Sequence, residues 1–298
     1  MKTAVVTGAN GYVGRNLIRQ LTREGVRVYA VLRNRDYTGF ADQPLVEPIY
    51  CEGIQILQLR SQLAEKKVDV FYHMLWQGAK GAGRADYGLQ TENAKMACDA
   101  MCLCAEIGCS KFVMVGTITE RLADKALAVR STAQNLMYGV TKSYTHKLLN
   151  VLSAVKNVPL VWAQLSNIYG GDDNSGNLIS YTVSNFLQGT VPSFGPCEDW
   201  YDFVHIEDVC AALYTLGAIE TTQGEYFVGR CENKKLKDYI NELSRIYGSP
   251  VNIGARPDDG LRYDKEWFDN SRLVEELGFR FRYTFAEGIR AEMKKGGN

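Results

Sequence analysis

The chain has 298 residues, with 34 lysines and arginines against 34 aspartates and glutamates. That length supports a large core in one or two domains, and a net charge of zero without like-charge blocks argues against nucleic acid or an anionic membrane as partner. No apolar run reaches membrane-spanning length and no signal peptide precedes the first strand, so a cytoplasmic protein is expected.

Lys2 to Val6 reads as a buried strand, broken by Thr7-Gly8-Ala9-Asn10-Gly11-Tyr12-Val13-Gly14. Gly8 permits a sharp exit, and Gly11 lets a pyrophosphate approach bare backbone. Gly14 lets the next helix, carrying Leu17, Ile18 and Leu21, sit tightly on the sheet. The free N–H groups of that helix then face phosphates. Thr7, Gly8, Asn10, Gly11, Tyr12, Val13 and Gly14 are therefore expected to line a dinucleotide.

Val26 to Leu32 is the second strand, ending in Arg33-Asn34-Arg35. An acidic residue here would hold ribose hydroxyls, whereas arginine suits a 2′-phosphate, so Arg33, assisted by Arg35, favours NADP over NAD. Pro48 to Cys51 is strand-like, and Glu52 after it reads as a loop carboxylate rather than an adenine contact. Ile54 to Glu65 reads as helix and Val68 to Leu75 as another buried strand, with His73 a packed core histidine. Gln77 to Tyr87 is a glycine-rich loop containing Arg84, suited to covering a substrate. Gln90 to Ile107 is a long helix, apolar on more than one face. One face is expected on the sheet and the other on a second subunit. Cys98, Cys102, Cys104 and Cys109 cluster about it. Without Cys-x-x-Cys spacing they read as small apolar residues in a reducing compartment rather than as a metal site.

Ser110 to Val115 is a strand running to Gly116-Thr117, and Thr117 falls where open α/β sheets place their chemistry. After a short connection, a helix over Asn135 to Leu152 carries Tyr138-Gly139-Val140-Thr141-Lys142. A strand over Leu160 to Leu165 leads into Ser166-Asn167-Ile168-Tyr169-Gly170. The expected fold is α/β, a doubly wound parallel sheet of the Rossmann type over 1–165 and 201–218. A smaller substrate-binding region takes 166–200 and 219–298.

Tyr138 and Lys142 share one helical face. Tyr-x-x-x-Lys arises readily by chance, so placement makes the case: it lies on the helix after the Thr117 strand, in a chain that opens with a dinucleotide turn. A free phenol ionises near pH ~10 and is a poor base at neutral pH. The Lys142 ammonium and an oxidised nicotinamide would both favour phenolate. Tyr138 then takes or gives a proton as hydride moves, and Thr117, or Thr119 in its stead, orients the same oxygen.

Together these features resemble the extended short-chain dehydrogenase/reductase family, the NAD-dependent epimerase/dehydratase group, in its nucleotide-sugar-modifying branch. The resemblance rests on the G-x-x-G-x-x-G turn, the Thr117, Tyr138 and Lys142 set, Asn167-x-Tyr169-Gly170, Gly176-Asn177-Leu178, Asp202 to Val209, Leu277-Gly278 and Phe285 to Ile289. It implies Leu75, Trp76 and Leu165 beside the cofactor, with Trp76 in place of a small residue, and Lys142 on the nicotinamide ribose. It implies Thr117, Asn167, Asn177, Leu178 and Tyr201 around a nucleotide sugar. Tyr201 and Gln164 stand where the family has arginines, so Arg262, Arg256 or Arg84 must meet a diphosphate, or the ligand is not a nucleotide sugar. Family dehydratases carry Asp-Glu where this chain has Ile118-Thr119, which argues against dehydration. The resulting expectation is an NADP(H)-dependent reductase of a 4-keto nucleoside-diphosphate sugar, working as a homodimer through 90–107 and 135–152. An NAD-retaining C4 epimerase is the alternative. A non-catalytic dinucleotide-sensing regulator is the third reading, against which the tyrosine and lysine argue.

Overall fold

The computed structural model describes residues 1–52, 55–129, 135–171, 176–258 and 262–296. In chain order the elements are β1 (Thr3–Thr7), α1 (Tyr12–Arg23), β2 (Arg27–Leu32), β3 (Val46–Tyr50), the short α2 (Arg60–Leu63), β4 (Val70–His73), α3 (Tyr87–Glu106) and β5 (Lys111–Thr117). Then come α4 (Thr119–Val129), α5 (Asn135–Lys156), β6 (Leu160–Leu165), β7 (Asn167–Tyr169), α6 (Leu178–Leu187), β8 (Trp200–Tyr201) and β9 (Phe203–His205). The chain ends with α7 (Ile206–Ala218), β10 (Gly224–Val228), β11 (Lys234–Lys235), α8 (Leu236–Tyr247) and α9 (Phe285–Gly296). Seven strands form one sheet in the order β10-β6-β5-β4-β1-β2-β3, with β3, β2, β1, β4 and β5 paired in parallel. This is the Rossmann-like sheet with helices that the alternating pattern predicts.

Two compact units divide the chain, 1–164 with 210–226 and 165–209 with 227–298. The first holds a core in which Val5, Phe71, Phe112 and Trp162 of the sheet meet Met96, Ala100 and Leu103 of α3. The second is built round Tyr169, Phe203, Tyr239 and Phe285. The segment returning to the first unit starts at Cys210, not at 201. Asp202 is wholly buried in the second unit, where its Oδ1 accepts the Cys231 N–H at 2.6 Å, and Phe203 stacks against Phe285. Those two side chains hold β9 to the second unit.

Three further differences from the sequence reading have local causes. Within 54–65, whose first residue lies outside the described ones, the chain forms a 3-10 turn over Ile56–Leu59 and only then α2. The connection between β5 and α5 is not short, because α4 occupies it. Gly139 of α5 makes that fit, since a Cβ there would stand 2.5 Å from the Thr119 carbonyl oxygen. Finally, the apolar excess of α3 is met inside the chain. Its second face packs along α5, with Leu149 and Leu152 joining the same core. Among the described residues no helix is long and apolar enough to cross a membrane.

Candidate active site

The first unit carries both the glycine turn and the residues expected to do chemistry. Gly8 has φ +66°, and its missing Cβ would lie 3.0 Å from the Leu75 nitrogen. A Cβ on Gly14 would lie 2.2 Å from the Gly8 carbonyl oxygen, so α1 can reach the turn only with glycine there. Gly11 caps α1 in extended conformation and no side chain caps the helix, which leaves its first N–H groups open. A pyrophosphate fits this bare, donor-rich cradle.

Thr7 lies behind the cradle and does not face it. Its hydroxyl is buried, accepts the N–H groups of Met74 and Leu75 at 3.1 and 3.2 Å, and must therefore give its own proton to His73 Nδ1 at 3.0 Å. His73 is then the Nε2–H tautomer, wholly buried and stacked on Phe112. Burial, with the Lys142 charge second, pushes its pKa down to about 3. It is the core histidine its sequence context suggests. Leu165, at the end of β6, is also buried. Arg33 and Arg35 are exposed after β2, and the Arg35 guanidinium lies 4.6 Å from the Tyr50 ring centre.

Trp76 is the piece that joins cradle to chemistry. It follows Leu75, which touches Gly8, and its indole N–H donates to Gln90 Oε1 at 2.9 Å. The Tyr138 ring meets it edge-on at 6.2 Å, and the Lys142 ammonium lies 3.8 Å from its centre. Lys142 is buried and donates to the Val115 carbonyl oxygen at 2.8 Å, two residues before Thr117. Thr117 donates through its hydroxyl to Thr119 Oγ1 at 3.2 Å. So the first turns of α5 bring Tyr138 and Lys142 to one indole, and Lys142 ties them to β5 two residues before Thr117. Sequence showed that Trp76 was unusual but could not show that it lies under Lys142.

Glu120 was not anticipated. Its carboxylate accepts the Thr117 N–H at 2.6 Å and the Trp162 indole N–H at 3.1 Å, and it is buried. The signal for it was Gly116, where a Cβ would strike Trp162 Nε1 at 2.2 Å and Glu120 Oε1 at 2.7 Å. Burial raises the Glu120 carboxyl and lowers the Lys142 ammonium, and each charge partly relieves the other.

In the second unit the expected substrate residues are largely occupied with holding the fold. Asn177 caps α6, accepting the Ser180 N–H at 2.9 Å, and donates to the Ile168 carbonyl. Asn167 donates to the Asp202 carbonyl at 3.1 Å and accepts the Tyr201 hydroxyl at 3.0 Å. Arg262, proposed for a diphosphate, is paired with Asp258 and, at 3.3 Å, with Asp199, so its charge is already answered. Arg256 is better placed. It reaches the Tyr181 hydroxyl at 2.9 Å and lines a cavity of about 430 Å³ with Leu178, Tyr181 and Phe194.

A dinucleotide cradle continuous with a Tyr-x-x-x-Lys helix is the arrangement of the extended short-chain dehydrogenase/reductase class. The signature of the NAD dependent epimerase/dehydratase family matches residues 4–229, and the chain belongs to that family. It is similar to dTDP-glucose 4,6-dehydratase of Escherichia coli, at 28% identity over 166 residues, 51% of this chain and 45% of the relative. The chain thus spans about half the length of several dehydratases it matches. It is similar along nearly its whole length to CDP-abequose synthase of Salmonella typhimurium, at 21% identity over 308 residues, 98% of this chain and 97% of the relative. Among solved structures, UDP-N-acetylglucosamine 4-epimerase from Bacillus cereus superposes with a TM-score of 0.80 at 18% identity, covering 100% of both chains, which shows a shared fold.

Proposed function

We propose that this protein is an NADP(H)-dependent reductase of a 4-keto nucleoside-diphosphate sugar. The observation that carries the reading is the unbroken path from Gly8 through Leu75 and Trp76 to Tyr138 and Lys142, with Thr117 at the end of the adjoining strand. Gly8, Gly11, Gly14, Arg33, Arg35, Trp76 and Lys142 would hold the dinucleotide, and when bound its nicotinamide supplies the hydride. Tyr138 gives its phenolic proton to the carbonyl oxygen as that oxygen becomes a hydroxyl. The Thr117 hydroxyl, turned from Thr119 Oγ1, donates to the same oxygen and fixes its orientation.

Two features favour reduction. Dehydration needs a further acid and base beside the sugar, but Ile118 and Thr119 are buried, and the Glu120 carboxylate is turned to Trp162 and the Thr117 N–H. Arg33 stands exposed at the end of β2, where a 2′-phosphate would lie. Cofactor content tests the reading. The purified protein should be free of dinucleotide and titrate with NADPH, and Arg33→Ala should weaken NADPH at least about tenfold while NADH changes little. NAD that survives dialysis, or equal weakening of both cofactors, would favour the C4-epimerase alternative.

We also assign the homodimer contact to α5. Met137, Val140, Tyr144, Val151 and Val155 are exposed along it at three-, four- and seven-residue steps, one stripe of a helix surface.

A further inference from the structure

Tyr138 carries a cation on its face. The Arg84 guanidinium carbon lies 4.3 Å from the ring centre, closer than the edge-on indole of Trp76 at 6.2 Å. The loop that holds Arg84 is tied down at several points. Gln90, wholly buried on α3, donates to the carbonyl oxygens of Gly78 and Gly83 at 3.1 and 2.8 Å while its Oε1 accepts from Trp76. Asn93 holds both backbone groups of Gln77, each at 2.8 Å. Gly78, at φ +65°, comes so close to Gly83 that a Cβ on Gly83 would stand 2.7 Å from the Gly78 Cα. Arg84 Nη1 donates to Ala79 O at 3.3 Å, and its buried Nε finds no acceptor.

We propose that Arg84 is a positioning residue that acidifies Tyr138, the guanidinium over its ring stabilising phenolate over phenol and so setting the pH at which the phenol gives up its proton. The proposal rests on the reading of Tyr138 as the proton donor. A cation over an aromatic face is attracted to the ring's electron density, and ionising the phenol pushes more negative charge into that ring, so the attraction grows. Arginine keeps its charge at every working pH, whereas burial makes the Lys142 ammonium easier to deprotonate. The Arg84 contribution therefore does not titrate away.

Tyrosinate absorbance of the cofactor-free protein tests this without turnover. Wild type minus Tyr138→Phe isolates one phenol among 17 tyrosines. The same subtraction is made in the Arg84→Met and Arg84→Lys backgrounds, with circular dichroism confirming that each variant folds. Arg84→Met should raise the Tyr138 ionisation by about one pH unit or more, with Arg84→Lys between it and wild type. The alkaline limb of the reduction rate should move up by the same amount. If Arg84→Met leaves the phenol where it was, or if the conservative lysine restores nothing, the proposal is wrong. Wild-type turnover by Tyr138→Phe would instead remove the catalytic reading and leave the titration to decide the effect of Arg84. Should Arg84→Met not fold, the lysine variant and Arg84→Gln give the same comparison.

Discussion

At the residue scale, His73 shows how a hydrogen-bond inventory fixes a charge state. Two backbone donors fill the Thr7 oxygen, so its proton goes to His73 Nδ1, and Nε2–H is left in an apolar pocket without an acceptor. Burial, with the Lys142 charge second, penalises a second proton on that ring, and the pKa falls from 6.5 to about 3. The unfolded histidine binds a proton below about 6.5 while the folded one does not, so the native state is at full strength above that pH. Stability is then lost as pH falls from 6.5 toward 3, at about 1.4 kcal/mol for each unit. Urea unfolding of wild type and His73→Asn should diverge in this window, the variant losing less on acidification. Parallel curves would show that His73 takes no part. The histidine's burial was legible from its apolar strand, but its tautomer was not, because the Thr7 that sets it is 66 residues away.

Elements show the same division between local and distant information. The glycine turn and the Tyr-x-x-x-Lys helix are written within a few residues, and both form where the sequence put them. What the helix meets is decided by residues far off: Trp76 from the end of β4, Arg84 from the following loop, and α4 against Gly139. The sequence offers Arg262 among three arginines for a diphosphate, yet it pairs with Asp258 four residues before it and with Asp199 from another part of the chain. Lys111 at the start of β5 is a further case. Its buried ammonium donates to the Leu216 carbonyl at 3.2 Å, to the Ile219 carbonyl and to Thr222 Oγ1 at 2.6 Å, closing the C-terminal end of α7. Burial lowers its pKa to about 8, and the carbonyls give it reason to stay charged at neutral pH. Lys111→Met takes the ammonium from those carbonyls and leaves them to the Thr222 hydroxyl and N–H, which should cost about 1.5–3 kcal/mol in chemical denaturation. A change under about 0.5 kcal/mol would mean that water replaces the ammonium.

For the whole molecule, the alternating strands and helices of the first 165 residues announced the parallel sheet, while the later chain gave weaker signals. Its second unit is assembled from short strands and aromatic contacts such as Tyr169 with Phe203 and Phe285, which leave no periodic trace in sequence. Our proposed subunit contact narrows the expected pair of helices, 90–107 and 135–152, to the second of them for a related reason. Counting apolar residues on α3 pointed to a partner, but α5 of the same chain covers that face, and the exposed stripe lies on α5 itself. Val151 and Val155 are 67% and 71% exposed, so charged replacements there leave the core untouched. Val151→Asp with Val155→Asp should convert a dimer to a folded monomer in sedimentation. A dimer unchanged by the pair would place the contact elsewhere.

Central to the account is one phenol passing a proton at the mouth of a dinucleotide cradle. NADPH titration and single-turnover reduction of wild type and Tyr138→Phe measure both halves of that statement at once. The variant should bind NADPH within a few-fold of wild type and lose turnover by about 100-fold or more. Turnover that persists at the wild-type rate, with the cofactor equally well bound, would contradict it.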